Sequence, residues 1–148
     1  MLRLTNLADY SVVVMTAAAR CVEGPLSAGV VAARTGIPAP TVAKVMGLLT
    51  RGGLLASSRG VAGGFRLARA AHAISVADII EAVEGPIALT NCQHNEVSAC
   101  ALEGSCAVRP HWRPINVAVR AAFAAVTLAD LSGPVALPPA VHSLEVTA

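Results

Sequence analysis

The chain has 148 residues, enough for one domain with an extension; 55% are hydrophobic but only 3% aromatic, so the core must be built from Ala, Val, Leu and Ile. No 18-residue apolar run is free of charges or helix breakers, and Asp9 and Arg20 bracket only a brief apolar stretch at the start, which excludes a membrane span and a signal peptide and predicts a cytoplasmic protein. The net charge of +2 conceals an asymmetry, +6 over residues 1–70 and −4 over residues 71–148, the pattern of a polyanion-binding module joined to a regulatory or partner-binding region.

Apolar side chains recur at helical spacing from Thr5 to Cys21, with Leu7, Val13, Val14 and Ala17 or Ala18 on one side, and Glu23-Gly-Pro closes this helix. Ser27 is an N-cap for a second helix, Ala28 to Thr35, which stops at Gly36. Gly36-Ile-Pro-Ala-Pro is a turn, and Thr41 to Arg51 forms a third helix with Val42, Val45, Leu48 and Leu49 facing inward. Short helix, glycine-containing turn and second helix make a helix-turn-helix. Two short strand candidates follow, Leu54 to Ser58 and Phe65 to Arg69, around the glycine-rich Arg59-Gly-Val-Ala-Gly-Gly. A hairpin in that place is the wing of a winged helix. Residues Gly60 to Gly64 lack the Gly-Lys-Ser/Thr ending of a phosphate loop and precede a strand where such a loop would open a helix.

Ser75 caps another short helix, with Asp78 in its first turn, that ends at Gly85-Pro86. Beyond Pro114, a long apolar helix is predicted from Ile115 to Leu131, with Ile115, Val119, Ala122, Phe123 and Val126 on one stripe; it reads most simply as a dimer seam. From Ser132 on, Gly-Pro and Pro-Pro interrupt any periodicity and predict a flexible tail. The expected fold is therefore mainly α with a small β-hairpin wing. Residues 1–72 form the winged helix-turn-helix, 73–131 a cysteine-loop sensor with a long C-terminal dimerisation helix, and 132–148 the tail.

Three of the four cysteines, Cys92, Cys100 and Cys106, lie within 15 residues. Cytoplasmic thiols are normally kept reduced, and three cannot pair completely among themselves, so a metal or redox role is favoured over a disulfide staple. The spacing Cys-x7-Cys-x5-Cys is neither that of a zinc ribbon nor that of a bacterial ferredoxin. It suits an iron–sulfur cluster with a fourth ligand from elsewhere, or zinc with His94 or His111 completing the set. Cys21, inside the first helix, reads as a core residue. No Ser-His-Asp set, paired-carboxylate cleft or phosphate loop points to an enzyme, and Ser98 and Ser105 read as loop residues.

Arg3-Leu-Thr with Asp9-Tyr, Arg59-Gly-x-x-Gly-Gly-Phe in the wing, the three-cysteine loop and Trp112 just after it together resemble the iron–sulfur winged-helix repressors, over roughly residues 2–131. That family includes the Isc- and Suf-assembly regulators and the nitric-oxide-responsive Nsr-type repressors; Pro86-Ile-Ala-Leu-Thr and Trp112-Arg-Pro-Ile-Asn look most like the Suf branch. The resemblance implies that Cys92, Cys100 and Cys106 ligate a [2Fe-2S] or [4Fe-4S] cluster in a homodimer paired through the C-terminal helix. Arg109 stands where Isc-type members carry a ligating histidine. By similarity to the Nsr type, the fourth ligand is then expected to be Asp9, supplied in trans, ahead of His111.

Function is thus expected to be transcription regulation, repression above all, of iron–sulfur assembly genes, with a nitric-oxide-responsive repressor or a metal protein that does not bind DNA as alternatives. The third helix would enter a major groove of double-stranded DNA with Thr41, Lys44 and Arg51, and the wing would add Arg59, Gly60 and Arg66. A two-fold dimer would read a pseudo-palindromic operator.

Overall fold

A computed structural model describes residues 3–21, 24–60, 63–93, 100, 102 and 104–134. Thr5 opens α1 (Asn6–Ala19) by accepting the Ala8 N–H on its hydroxyl at 3.1 Å. Ala8, Ser11, Val14, Met15 and Ala18 form the buried stripe. This stripe is rotated from the expected one, leaving Val13 38% exposed and Met15 inside. Ser11 can be buried because its hydroxyl donates to the Leu7 carbonyl at 2.7 Å.

Helix α2 (Ala28–Thr35) is capped by Ser27 and stops at Gly36, which takes a left-handed φ of 75°. Helix α3 (Ala39–Arg51) starts two residues before the expected Thr41, because Pro40 sits in the first turn, where a missing N–H costs nothing. Its buried face is Val42, Val45, Met46 and Leu49. Strands β1 (Leu55–Ser58) and β2 (Gly64–Leu67) pair antiparallel, Leu55 opposite Leu67 and Ser58 opposite Gly64. The hairpin is fastened to the head by a bridge not foreseen in the sequence: Leu26 and Phe65 exchange both backbone hydrogen bonds at 2.8 Å.

The Ser75–Asp78 capping box opens α4 (Val76–Glu84). The expected single helix from Ile115 to Leu131 is two helices, α5 (Arg109–Ala124) and α6 (Leu128–Ser132). Pro110 occupies the first turn of α5, and Pro114, expected to precede the helix, lies inside it near its N-terminus, where one backbone bond is lost without breaking it. The break after Ala124 comes from competition. Val76 donates to the Val126 carbonyl and Leu128 to that of Ile74, and Thr127 forms its own capping box with Asp130. The proposed tail from residue 132 lies outside the described residues beyond Pro134.

One core unites these pieces: Val14 and Met15 of α1, Val31 of α2, the α3 stripe, Leu54 and Leu55 of the wing, Ile74 and Ile79 near α4, and Leu128 of α6. Leu49, fully buried at its centre, gives a direct check. Leu49→Ala is expected to lower stability by about 2–5 kcal/mol, read by urea denaturation, because the rigid surroundings close a cavity only partly. Among the described residues no helix is long and apolar enough to cross a membrane.

Candidate functional site

Burial of the α3 stripe turns its other side outward. Ala43, Lys44 and Arg51 are exposed, with half-buried Gly47 between them. Gly47 leaves the backbone bare under Arg51: a Cβ there would come within 3.7 Å of a guanidinium nitrogen. The outcome is a narrow helix face of small residues carrying two cations, a shape that can lie close to a polyanion. Thr41 is half-buried in the first turn. In the wing, Arg59 and Gly60 are exposed at the tip, with Val61 and Ala62 outside the described residues, and Arg66 is exposed on β2. The turn demands glycine, because a Cβ on Gly63 would stand 2.4 Å from the Ser58 carbonyl oxygen. Arg69, at the far end of the wing, is engaged elsewhere, 3.8 Å from the Asp78 carboxylate and 3.4 Å from the Ala73 carbonyl.

The cysteine segment leaves α4 at Gly85 and ends on α5. Its leading residues are stitched down. Asn116 of α5 accepts the Leu89 N–H at 3.0 Å and donates to the Ile87 carbonyl at 2.8 Å. Glu81 of α4 accepts the Ile87 N–H at 3.4 Å and a two-pronged Arg120 guanidinium, both prongs at 2.8 Å. The chain returns to the helix at Arg109, seven residues before Asn116, about 10 Å along the axis at 1.5 Å per residue. Both ends of the segment are therefore held about two helical turns apart. At the C-terminal end of α4, the Thr5 hydroxyl donates to Glu84 while capping α1, so Thr5 fastens the first helix beside the start of this segment.

Cys92 lies in a 3-10 turn, its sulfur 3.2 Å from the Thr90 hydroxyl, and Cys106 stands three residues before α5. Both are half-buried, as is Cys100, and none of the four cysteines is in a disulfide. Cys21 packs partly buried against the core, as expected. Asp9 is exposed in the first turn of α1 and His111 exposed in that of α5, while His94 and Ser98 lie outside the described residues. Among the described residues no three His, Cys, Asp or Glu side chains are grouped to hold a metal ion. The donor chemistry, three thiols outside any disulfide on a segment tethered at both ends, suits an iron–sulfur cluster, but among the described residues they are not grouped into a closed site.

The Glu81 carboxyl is held below the usual glutamate range, chiefly by the Arg120 hydrogen bond and against a desolvation cost. A depressed folded-state pKa contributes stability that is complete above the ordinary glutamate value and fades as pH falls through the depressed one. Glu81→Gln is accordingly expected to melt below the parent at neutral pH, with the gap closing under acid; melting curves across pH 3–7 (roughly the carboxylate range) check it.

Residues 4–134 match the Rrf2 family, described as an iron-dependent transcriptional regulator. The chain belongs to the Rrf2 family. It is a DNA-binding transcription regulator of winged-helix build. Among Rrf2 relatives, the HTH-type transcriptional regulator IscR of Erwinia tasmaniensis is 33% identical over 131 residues, 88% of this chain and 78% of that protein. The IscR of Yersinia pseudotuberculosis is 31% identical over 131 residues, covering 88% and 79%. Among solved structures, CymR, the global cysteine regulator of B. subtilis, superposes with a TM-score of 0.69 at 28% identity, covering 89% of this chain and 97% of that one. T. potens IscR gives 0.64 at 28% identity, covering 88% and 85%.

Sequence reasoning missed Asn116, Glu81 and Arg120. The available signal was a polar residue inside the apolar stretch from Ile115 to Val119, four residues before an arginine.

Proposed function

We propose that this Rrf2 protein is a homodimeric repressor of iron–sulfur assembly genes that holds a [2Fe-2S] or [4Fe-4S] cluster on Cys92, Cys100 and Cys106. Asp9 of a second copy is the fourth ligand, with His111 as the lesser candidate. The observation that carries this reading is the tethering of a three-thiol segment to α4 and α5 by Glu81, Asn116 and Arg120. An iron–sulfur cluster supplies redox and ligand-exchange chemistry when bound. The chain's own residues do the rest: Lys44, Arg51, Arg59 and Arg66 meet DNA, joined by Thr41 in the first turn of the reading helix, and Gly60 lets the wing tip approach the backbone. Helix α5 has no buried residue, and Ile115, the first member of the expected seam stripe, is 45% exposed, which leaves that face open to a second copy. A two-fold pair of heads would then take a pseudo-palindromic operator, with residues 1–72 reading and 73–131 sensing.

Anaerobic purification followed by iron and acid-labile sulfide analysis tests the cluster. Iron and sulfide in matching amounts on each chain support it; a colourless, iron-free protein with full DNA affinity overturns it. A second reading, a thiol switch that binds DNA without metal, is favoured by the ungrouped cysteines and by the likeness to the B. subtilis cysteine regulator. Full iron loading removes that reading.

A further inference from the structure

The hydrogen bonds around Ile87 form a closed circuit. Asn116 grips the backbone on either side of Ala88, accepting a hydrogen bond from the Leu89 N–H and donating one to the Ile87 carbonyl, as a neighbouring strand would. The N–H of the same Ile87 goes to Glu81, and Glu81 is clamped by Arg120, one turn beyond Asn116 on α5. The path runs from α5 to the cysteine segment, on to α4 and back to α5. Both ends of the Asn116 carboxamide are used, so its orientation is set by its partners. Only Thr90 and Asn91 separate the gripped Leu89 from Cys92. A displacement of Cys92 therefore pulls on a two-point attachment to α5, while α4 resists through Glu81.

We infer that Asn116 is a positioning residue that couples the cysteine segment to α5, so that a change at Cys92, Cys100 or Cys106 is felt along the helix chiefly through this carboxamide. The inference rests on the reading of those cysteines as the sensing groups, but not on the presence of a cluster. Without Asn116, the direct two-point attachment to α5 is gone, and the hydrogen-bonded route that remains runs indirectly through Glu81 and Arg120.

The test uses the full chain carrying Cys21→Ser, so that iodoacetamide alkylates only Cys92, Cys100 and Cys106. Backbone hydrogen exchange is followed over residues 117–124 before and after alkylation. Two variants are compared with this parent. Asn116→Ala removes both bonds. Asn116→Asp, nearly the same shape, keeps an acceptor for Leu89 but turns a carboxylate oxygen on the Ile87 carbonyl, and so serves even if the alanine variant folds poorly. Alkylation is expected to change exchange along α5 in the parent and to change it far less in both variants. The Leu89 amide of unmodified Asn116→Ala is expected to exchange roughly tenfold faster than that of the parent. An α5 response of equal size in parent and variants, or no response in the parent, overturns the inference. Iron and sulfide content decides the cluster separately, so either proposal can fail alone.

Discussion

Replacing Cys92, Cys100 or Cys106 with Ser is expected to abolish iron retention while leaving the fold intact. Each thiol is half-buried on a segment outside the hydrophobic core, so losing one sulfur disturbs little packing. For the metal, the change removes a soft anionic ligand and substitutes a hydroxyl that iron–sulfur chemistry tolerates poorly. Removing a partner that merely orients a ligand typically costs 10–100-fold in metal affinity, so loss of a ligand itself should exceed about a hundredfold. The contrast with Cys21 makes the result specific. Cys21→Ser touches the margin of the core and should cost some stability but no iron. Iron per chain, visible absorption and far-UV circular dichroism on the four single variants check this. A variant at Cys92, Cys100 or Cys106 that keeps full iron loading would remove that residue from the ligand set.

The second large effect concerns DNA. Simultaneous replacement of Lys44, Arg51, Arg59 and Arg66 by Ala removes four exposed cations from α3 and the wing, eight in a dimer. None of the four belongs to the core, so the melting temperature should hardly move. Each lost phosphate contact lowers the slope of log affinity against log salt by about 0.9, and 6–10 contacts are worth about 10³–10⁵ in affinity between 50 and 200 mM salt. Binding to duplex DNA at low salt should therefore fall by several orders of magnitude and become nearly independent of salt. Single variants sort the roles. A side chain on a phosphate weakens all sequences alike, whereas one on a base edge weakens the operator more than random duplex. Arg69→Ala is the contrasting control, since its guanidinium already turns to Asp78 and Ala73. An unchanged salt slope in the fourfold variant would show that this face does not meet DNA.

The features legible in the sequence were those written in local chemistry. Ser27 and Gly36 bracket α2, Ser75 and Asp78 start α4, and Gly63 and Gly64 of the wing stand where a Cβ would strike a carbonyl. The three cysteines were conspicuous by spacing alone. What could not be read depended on partners distant along the chain. Pro114 looked like a helix boundary, but a proline near a helix start removes only one bond, and the preceding Pro110 already suits a first turn. The division of the last helix is decided by Ile74 and Val76, some fifty residues upstream, whose backbone competes for Val126 and Leu128. Asn116 carried no recognisable motif, since its meaning lies in the backbone of Ile87 and Leu89. The rotation of the α1 stripe, with Met15 inside and Val13 out, was likewise settled by the helices that pack around it rather than by its own periodicity.

The return of the chain at α6 bears on how the protein is made. Leu128 is fully buried in the same cluster as Val14 and Met15, and Arg20 at the end of α1 grips the Leu131 and Ser132 carbonyls from more than a hundred residues away. The DNA-reading head, although its helices and wing lie in the first half of the chain, cannot complete its core on a ribosome until that late segment has emerged. Closing so long a loop is entropically slow compared with forming local helices. Every thiol of the cysteine segment thus leaves the exit tunnel before the nascent head is finished, and a regulator competent to seize its operator exists only after the sensing segment has been synthesised.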